Sequence, residues 1–377
     1  MTTLFIKNAA AVSPLGENLN KIWQNLLLRE AKFGQTHLPG NKSYFSAESK
    51  KGSSQDINTY APLFYNTIRN LINALEITET VDAIFFATAV GNLANIENKI
   101  YSKQNLNLEE FDFTKVRELF LEENVANSET HFVCVPTGCC AGLQAIGLAK
   151  SLVDKLNIKT AIIMSIDFGL SPLAFEAFNK INATSEYQDD LQSSPSRPFC
   201  QDRGGFLFAD GGGAILITKD TINQPKITGY GCVSSAYHMT DIATDGSSIR
   251  DSMQIALADS GLNGKDIDHI NLHASGTQQN DEAEFNALRE IIGEDLPEIT
   301  AFKGNHGHAL GGANMIEIAL SWKMLKENLI PPTPNGLPID AYKPIIKREE
   351  TTPFTGKTLL KTASGFSGIH ASLIMEK

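Results

Sequence analysis

Two segments of the sequence share one pattern: a short apolar strand, a turn, and then a helix that is apolar on most of its surface. In the first, a strand over His131–Val135 and a turn precede a helix that starts at Cys139. In the second, Thr300–Lys303 and a glycine-rich turn precede a helix that starts near His308. Helices that are apolar all round are buried helices. The pattern therefore predicts a duplicated α/β unit whose two halves meet at one site.

Other short apolar strands alternate with helical patterns, which is typical of an α/β fold with a covered sheet. They are predicted at Val81–Ala89, Thr160–Ile166, Gly213–Thr218 and Ile267–His273. The chain of 377 residues has room for two domains or for one domain built from two halves. We divide it into 1–220, which carries Cys139, and 221–377, which carries two candidate histidines.

Charge and composition exclude several classes of protein. The net charge of −11 argues against non-specific binding of nucleic acid or of an anionic membrane. The apolar runs are shorter than the roughly 18–20 residues of a membrane helix, and the N-terminus reads as a strand and turn, not as a signal peptide. The five cysteines show neither zinc-like pairing nor a disulfide framework. A soluble cytoplasmic protein with reduced thiols is expected.

Cys139 is the first candidate for chemistry. At a helix N-terminus a thiol feels unpaired N–H groups and the positive end of the helix dipole, which favour its thiolate. The alternative is an inert core residue, because free cysteine is often buried. Cys140 is the obvious competitor, since spacing alone does not separate adjacent residues.

Two histidines are further candidates. His273 ends a predicted strand, and the C-terminal ends of strands line the crevices of α/β sheets. His308 starts the second buried helix. For either one, the alternative is a core histidine with both nitrogens satisfied. His306 is two residues from His308, but no third ligand has a matching spacing, so no metal site is expected.

Taken in order, these motifs resemble one family. They are Thr137-Gly-Cys139, His273-x-Ser275-x-Thr277 followed by Glu284, Lys303-x-x-x-Gly-His308, and Gly365-Phe366-Ser-Gly368. The set resembles the β-ketoacyl-[acyl-carrier-protein] synthases, in the elongating branch of the thiolase superfamily with a Cys-His-His triad. The resemblance implies a thiolase-like fold, with two duplicated α/β halves in α-β-α-β-α layers.

The resemblance also implies a reaction. Cys139 would take an acyl group from a carrier-protein thioester. A malonyl thioester would then lose carbon dioxide and attack that acyl group. His273 and His308 would stabilise the developing charge through hydrogen bonds, and the backbone N–H groups of Cys139 and Phe366 would form the oxyanion hole.

Supporting roles follow from the same resemblance. Lys303 would pair with Glu284 and orient the histidines. Ser275 and Thr277 would hydrogen-bond the phosphopantetheine arm, although each could equally be a turn residue. No cofactor of its own is expected, because that arm belongs to the acyl carrier protein.

Some positions depart from the family pattern. Cys140 follows the nucleophile where Ser or Ala is common, and Thr362-Ala363-Ser364 replaces Asn-Ser-Phe, so one aromatic residue of the gate is missing. These departures favour a specialised pathway, such as an aryl polyene or another polyketide-like product, over bulk fatty acid synthesis.

Two other functions stay open. One is a non-catalytic partner of a ketosynthase heterodimer, similar to a chain-length factor; the other is a thiolase that uses coenzyme A. The expected partners are an acyl carrier protein and a second ketosynthase-like subunit, in a homodimer or heterodimer. Arg69, Lys42, Lys50 and Lys51 are candidates for docking an acidic carrier.

Overall fold

The computed structural model describes residues 2–38, 42–107, 111, 113–185, 195–333 and 350–377. Its α-helices are α1 (Leu19–Leu27), α2 (Ile57–Tyr60), α3 (Leu63–Ala74), α4 (Leu93–Tyr101), α5 (Thr114–Glu122), α6 (Ala141–Leu152), α7 (Pro172–Lys180), α8 (Ser247–Ser260), α9 (Gln278–Ile291), α10 (Lys303–His306) and α11 (Leu310–Glu327). Its strands are β1 (Leu4–Val12), β2 (Gly34–Leu38), β3 (Lys42–Ala47), β4 (Ala83–Thr88), β5 (His131–Pro136), β6 (Thr160–Asp167), β7 (Phe208–Ala209), β8 (Gly211–Thr218), β9 (Lys226–Ser234), β10 (His269–Asn271), β11 (Glu298–Thr300), β12 (Leu329–Ile330), β13 (Thr352–Pro353), β14 (Thr358–Gly365) and β15 (Ile369–Glu376).

Ten of the described strands form one sheet, in the order β11-β10-β14-β15-β9-β1-β8-β6-β4-β5. Each half of the chain supplies five of them, with the same order and directions. β4 runs parallel to β5 and β6, as β10 does to β11 and β14. The remaining pairs in each half are antiparallel. The predicted duplication is confirmed, and the division at residue 220 falls between β8 and β9.

The helices form the other layers. α6 packs on β4 and β6 of the first half and also on β9 and β15 of the second. α11 lies against α6 and contacts β8, β6 and β14. α3 packs on β1 and β8, and α8 on β9 and β15. The central layer therefore consists of α6 and α11, between the two halves of the sheet, as the thiolase-like fold requires.

Small residues allow the central helices to come this close. A Cβ atom at Gly147 in α6 would lie 2.0 Å from Cε1 of Tyr230 in β9. One at Gly213 in β8 would lie 2.6 Å from the carbonyl oxygen of Met315 in α11. Both positions need glycine, because any side chain would push a helix away from the sheet.

The ends of several elements differ from the sequence-based prediction. The first buried helix begins at Ala141 and not at Cys139, and the second begins at Leu310, two residues after His308. Gly138 (φ +141°) and Gly307 (φ +73°) interrupt helical geometry just before these starts. The predicted glycine-rich turn after Thr300 contains one helical turn, α10. Among the described helices, none has the length and apolar character to cross a membrane.

Candidate active site

The turns that follow β5 and β10, and the one between α10 and α11, meet at one small cavity. Cys139 lies in the first turn, His273 in the second and His308 in the third. We call this space, of about 40 Å³, the Cys139 cavity. Its lining residues are Cys139, Phe206, Ile242, His273, Ser275, Thr277, Asn280, His308, Ser364, Gly365 and Phe366. The structure thus brings the sulfur and both predicted imidazoles together from the two halves of the chain.

Cys139 and Cys140 face different surroundings. Cys139 lines the cavity, whereas the Cys140 thiol lies 3.3 Å from the carbonyl oxygen of Ile369, to which it donates. The backbone N–H groups of Phe366 and of Cys139 itself lie close enough to the Cys139 sulfur to act to lower the pKa of the thiol. These are the two donors expected for the oxyanion hole. The geometry therefore selects Cys139 over Cys140 as the candidate nucleophile.

The structure does not favour the thiolate form of Cys139, in contrast to the expectation from the sequence. Burial and the negative charge of Asp167 raise its pKa to about 12, against the opposing effects of Lys303 and the two N–H groups. The helix that was expected to stabilise the thiolate begins two residues later, so Cys139 is not in its first turn. Cys139 is consequently a thiol at neutral pH.

The two imidazoles of the cavity are neutral. Their ring centroids are 5.2 Å apart and their planes meet at 80°. Burial and the nearby Lys303 hold the pKa of both His273 and His308 well below the usual value. In the described part of the chain, Nδ1 of neither ring has a hydrogen-bond partner. A buried N–H without an acceptor is rare, so we assign the ring proton to Nε2 in both residues.

The predicted pairing of Lys303 with Glu284 is wrong. The Lys303 ammonium lies 2.6 Å from Glu317 and donates to the carbonyl oxygen of His273 at 2.7 Å. Glu284 instead accepts from the backbone N–H groups of His273 (2.9 Å) and Ala274 (2.7 Å). Both acidic residues are fully buried. The place of Glu284 in the motif suggested it as the partner of Lys303, but the actual partner, Glu317, lies on α11.

Three buried charges near the site were missed. Glu317 is bound by Lys303 and by Lys361, whose ammonium is 2.8 Å away. Asp167 accepts from the N–H groups of Val90 (2.8 Å) and Gly312 (3.1 Å), and burial raises its pKa to about 6. The sequence feature that could have revealed two of these charges is a charged residue beside apolar ones. Glu317 lies in Met315–Ile318 of α11, and Lys361 follows two leucines in β14.

Short polar side chains occupy the part of the cavity next to α9. The hydroxyl groups of Ser275 and Thr277 are 3.0 Å apart, and both residues line the cavity. The ring of Phe366 stacks on Phe178 with centroids 6.2 Å apart. Where the family pattern has a second aromatic residue, Ser364 faces the cavity instead.

The four cations considered for carrier docking have different surroundings. Arg69 forms ion pairs with Glu122 and Glu123, so neighbouring acids already neutralise its charge. Lys50 and Lys51 are exposed. The side chain of Lys42 lies outside the described residues.

Comparison with solved structures shows the fold. A chain from a complex of a type II polyketide synthase acyl carrier protein with its ketosynthase, bound to the hexaketide, is 24% identical and has a TM-score of 0.86. The match covers 100% of the present chain and 99% of that chain. A chain from a ketosynthase–chain length factor complex of Xenorhabdus doucetiae is 19% identical, with a TM-score of 0.77 and coverage of 100% and 98%.

Comparison of sequences shows the family. The granaticin polyketide putative beta-ketoacyl synthase 1 of Streptomyces violaceoruber is 30% identical over 266 residues. That match covers 67% of the present chain and 62% of the relative, so the chain aligns with less than two thirds of the relative's length. The family models for the N-terminal and C-terminal domains of beta-ketoacyl synthase match residues 126–221 and 225–336. The chain belongs to the β-ketoacyl synthase family.

Proposed function

We propose that this protein catalyses the decarboxylative condensation of a malonyl carrier-protein thioester with an acyl group held on Cys139. The observation that carries the proposal is the Cys139 cavity, where one thiol, two neutral imidazoles and two backbone N–H donors converge. A chain-length-factor-like partner needs no nucleophile, and here the nucleophile is present with both histidines. The complete set favours the catalytic role over the partner role.

The first half-reaction is acyl transfer. The sulfur of Cys139 forms a bond to the thioester carbon, and the carrier thiol leaves. The oxygen of the tetrahedral intermediate accepts hydrogen bonds from the backbone N–H groups of Cys139 and Phe366. Both N–H groups already lie next to the Cys139 sulfur. The proton lost by Cys139 is matched by the proton gained by the departing thiol. Since the pKa of Cys139 is high, attack and proton loss occur together, and no free thiolate accumulates.

The second half-reaction is decarboxylation and condensation. The malonyl carboxylate leaves as carbon dioxide, and its bonding electrons form an enolate at the thioester. The Nε2–H groups of His273 and His308 donate hydrogen bonds to the enolate oxygen. The neutral rings can do this because each carries its proton on Nε2. The enolate carbon then attacks the acyl carbon, the Cys139–acyl bond breaks, and one proton from solvent restores the thiol.

Lys303 acts through its neighbours in this scheme. It holds the His273 carbonyl at 2.7 Å and contributes to keeping both imidazoles neutral. Glu284 fixes the same turn from the other side through the N–H of His273. Both are positioning residues, because neither lines the Cys139 cavity.

The carrier protein is the proposed partner in both half-reactions, and no cofactor of the protein's own is required. Its phosphopantetheine arm would bind the hydroxyl groups of Ser275 and Thr277 at the cavity wall. We place the reaction in the cytoplasm, where the five free cysteines would stay reduced. The product is a fatty acid or a specialised polyene or polyketide-like chain.

We further propose a homodimer joined through β5. This strand is the end strand of the large sheet, and Phe132 and Val133 are only partly buried. Among the described strands none pairs with the outer edge of β5. An edge strand with apolar side chains pairs readily with another strand, and a twofold axis would bring two copies of β5 together. Light scattering should give about twice the chain mass; a stable monomer would contradict the proposal.

Intact-protein mass spectrometry tests the catalytic function directly. After incubation with acyl carrier proteins, the wild-type mass should rise by one acyl group. Cys139→Ala should abolish this rise, and Cys140→Ala should retain it. Adding malonyl carrier protein should release the acyl group as a β-ketoacyl product. An acyl group on Cys140, on another residue or on none would refute the assignment, and acylation by acetoacetyl-CoA alone would favour a thiolase.

A further inference from the structure

A polar pair reaches the wall of the Cys139 cavity through one of its two members. Ser364 lines the cavity, and its hydroxyl oxygen lies 3.0 Å from Nδ1 of His370. The two residues are directly opposite each other on β14 and β15. Both are buried, with 1% and 2% of their surface exposed. Sheet pairing therefore fixes the pair in place.

The pair keeps hydrogen-bonding capacity for a ligand. A hydroxyl group has one donor and two acceptor sites, and the bond to His370 uses only one of these. Burial lowers the pKa of His370 to about 4, so the ring is neutral and its Nδ1 either donates or accepts, according to the tautomer. Ser364 can then present either an acceptor or a donor to the cavity.

The pair lies close to the reacting atoms. His370 is near enough to His273 to lower that ring's pKa. The backbone of Gly365, the residue after Ser364, is so close to the nucleophile that a Cβ there would lie 3.6 Å from Cβ of Cys139. Ser364, Gly365 and Cys139 all line the same small cavity. A substrate group two or three bonds from a thioester carbon at Cys139 can therefore reach Ser364.

We propose that Ser364, held by His370, is a specificity-determining residue that binds an oxygen atom on C3 of a thioester substrate. The inference rests on the proposed function and deepens it. Two substrates offer such an oxygen: a 3-oxoacyl donor through its keto group, and the malonyl extender through its carboxylate. A saturated acyl chain offers no oxygen at C3, so it leaves the hydrogen-bonding sites of Ser364 that His370 does not use without a partner, which is unfavourable.

The experiment compares butanoyl and 3-oxobutanoyl carrier proteins as acyl donors, and malonyl carrier protein in a decarboxylation assay. Ser364→Ala removes the hydroxyl, and His370→Ala removes the group that holds it. His370→Asn keeps a polar atom near the position of Nδ1 and serves as the rescue. Ser372→Ala is the matched control, because this buried hydroxyl on β15 bonds Ser252 at 2.8 Å and does not line the cavity.

Ser364→Ala and His370→Ala should slow 3-oxobutanoyl transfer or malonyl decarboxylation about tenfold more than butanoyl transfer. His370→Asn should recover part of this loss. Ser372→Ala should change none of the three reactions. A loss confined to 3-oxobutanoyl transfer assigns the oxygen to the donor, and a loss confined to decarboxylation assigns it to the extender. Equal effects on all three reactions would overturn the subsite. A wild-type protein that neither acylates nor decarboxylates would overturn the proposed function itself.

Discussion

The ammonium of Lys361 lies 2.8 Å from a carboxylate oxygen of Glu317, and both side chains are fully buried. The other oxygen of Glu317 is 2.6 Å from Lys303. Burial acts to raise the pKa of Glu317, but the two ammonium groups hold it below its usual value. Because Lys303 also bonds the carbonyl of His273, this buried network connects β14 and α11 to the turn that carries His273.

Lys361→Met should strongly destabilise the fold. The substitution keeps the length of the side chain but leaves Glu317 with one cation, and breaking a buried pair costs about 3–5 kcal/mol. The free energy of unfolding from urea titration measures the loss. Lys326→Met, at an exposed position on the same helix as Glu317, is the control and should cost less than about 0.5 kcal/mol. A similar small effect for Lys361→Met would contradict the structural role of the pair.

Glu284→Gln should weaken catalysis by loosening the turn at His273. The carboxylate accepts four hydrogen bonds, from the N–H groups of His273 and Ala274, the hydroxyl of Thr362 and the amide of Asn280. A glutamine has one acceptor oxygen, so its NH₂ group would oppose a backbone donor, at a cost of about 1–3 kcal/mol. Ala274 has φ +47°, so this turn depends on such support.

The measurement for Glu284→Gln is kcat together with KM for the malonyl carrier. We expect kcat to fall while KM changes little, because Glu284 does not line the Cys139 cavity. Glu282→Gln, on the exposed face of α9, provides the matched control and should behave as wild type. Loss of malonyl binding with kcat intact would place Glu284 in the binding site and refute the positioning role.

The candidate catalytic residues at the ends of buried strands and helices could be predicted from the sequence. The pairing of the buried charged residues could not be predicted as readily. Cys139, His273 and His308 follow recognisable strand and turn patterns, and the structure brings them to one cavity. The pairing of Lys303 could not be found in this way, because Glu284 and Glu317 are both compatible with the motif. Only the folded structure, which places Lys303 of α10 2.6 Å from Glu317 of α11, shows that Glu317 is the partner.

Both buried helices begin two residues after the cysteine or histidine at which the apolar pattern starts, for a physical reason. Apolar periodicity continues through the turns at Cys139 and His308, because these residues are buried as well. The backbone is nevertheless not helical there, since Gly138 and Gly307 have positive φ. A pattern of hydrophobicity reports burial, and the start of a helix depends on backbone angles that it does not encode.

Asp210→Asn should change how stability depends on pH. Burial raises the pKa of Asp210 to about 7, well above the value near 3.8 of an unfolded chain. The folded state thus binds this proton more tightly, so its contribution to stability is full below pH 3.8 and is lost as pH rises through 7. The slope at its steepest is about 1.4 kcal/mol per pH unit.

Urea unfolding at pH 5 and pH 8 tests this dependence. The wild type should lose more stability between these values than Asp210→Asn, whose amide does not ionise. Asp220→Asn, at an exposed position, is the control and should follow the wild type. If Asp210→Asn and the wild type show the same difference between the two pH values, Asp210 does not titrate in this range.

Gly147→Ala should separate the central helix α6 from β9. A methyl group there would overlap the ring of Tyr230, whose Cε1 and Cζ would be 2.0 and 2.2 Å from the new Cβ. Overpacking of this kind costs about 1–3 kcal/mol. Gly34→Ala, where a Cβ meets nothing within 4 Å, is the control for the loss of glycine. Because Tyr230 is the clashing group, adding Tyr230→Ala should relieve the cost of Gly147→Ala. Urea unfolding of both single variants and of the double variant measures this relief. The two substitutions should show a favourable coupling energy above about 0.5 kcal/mol. Additive effects would show that the ring does not set the distance between helix and sheet.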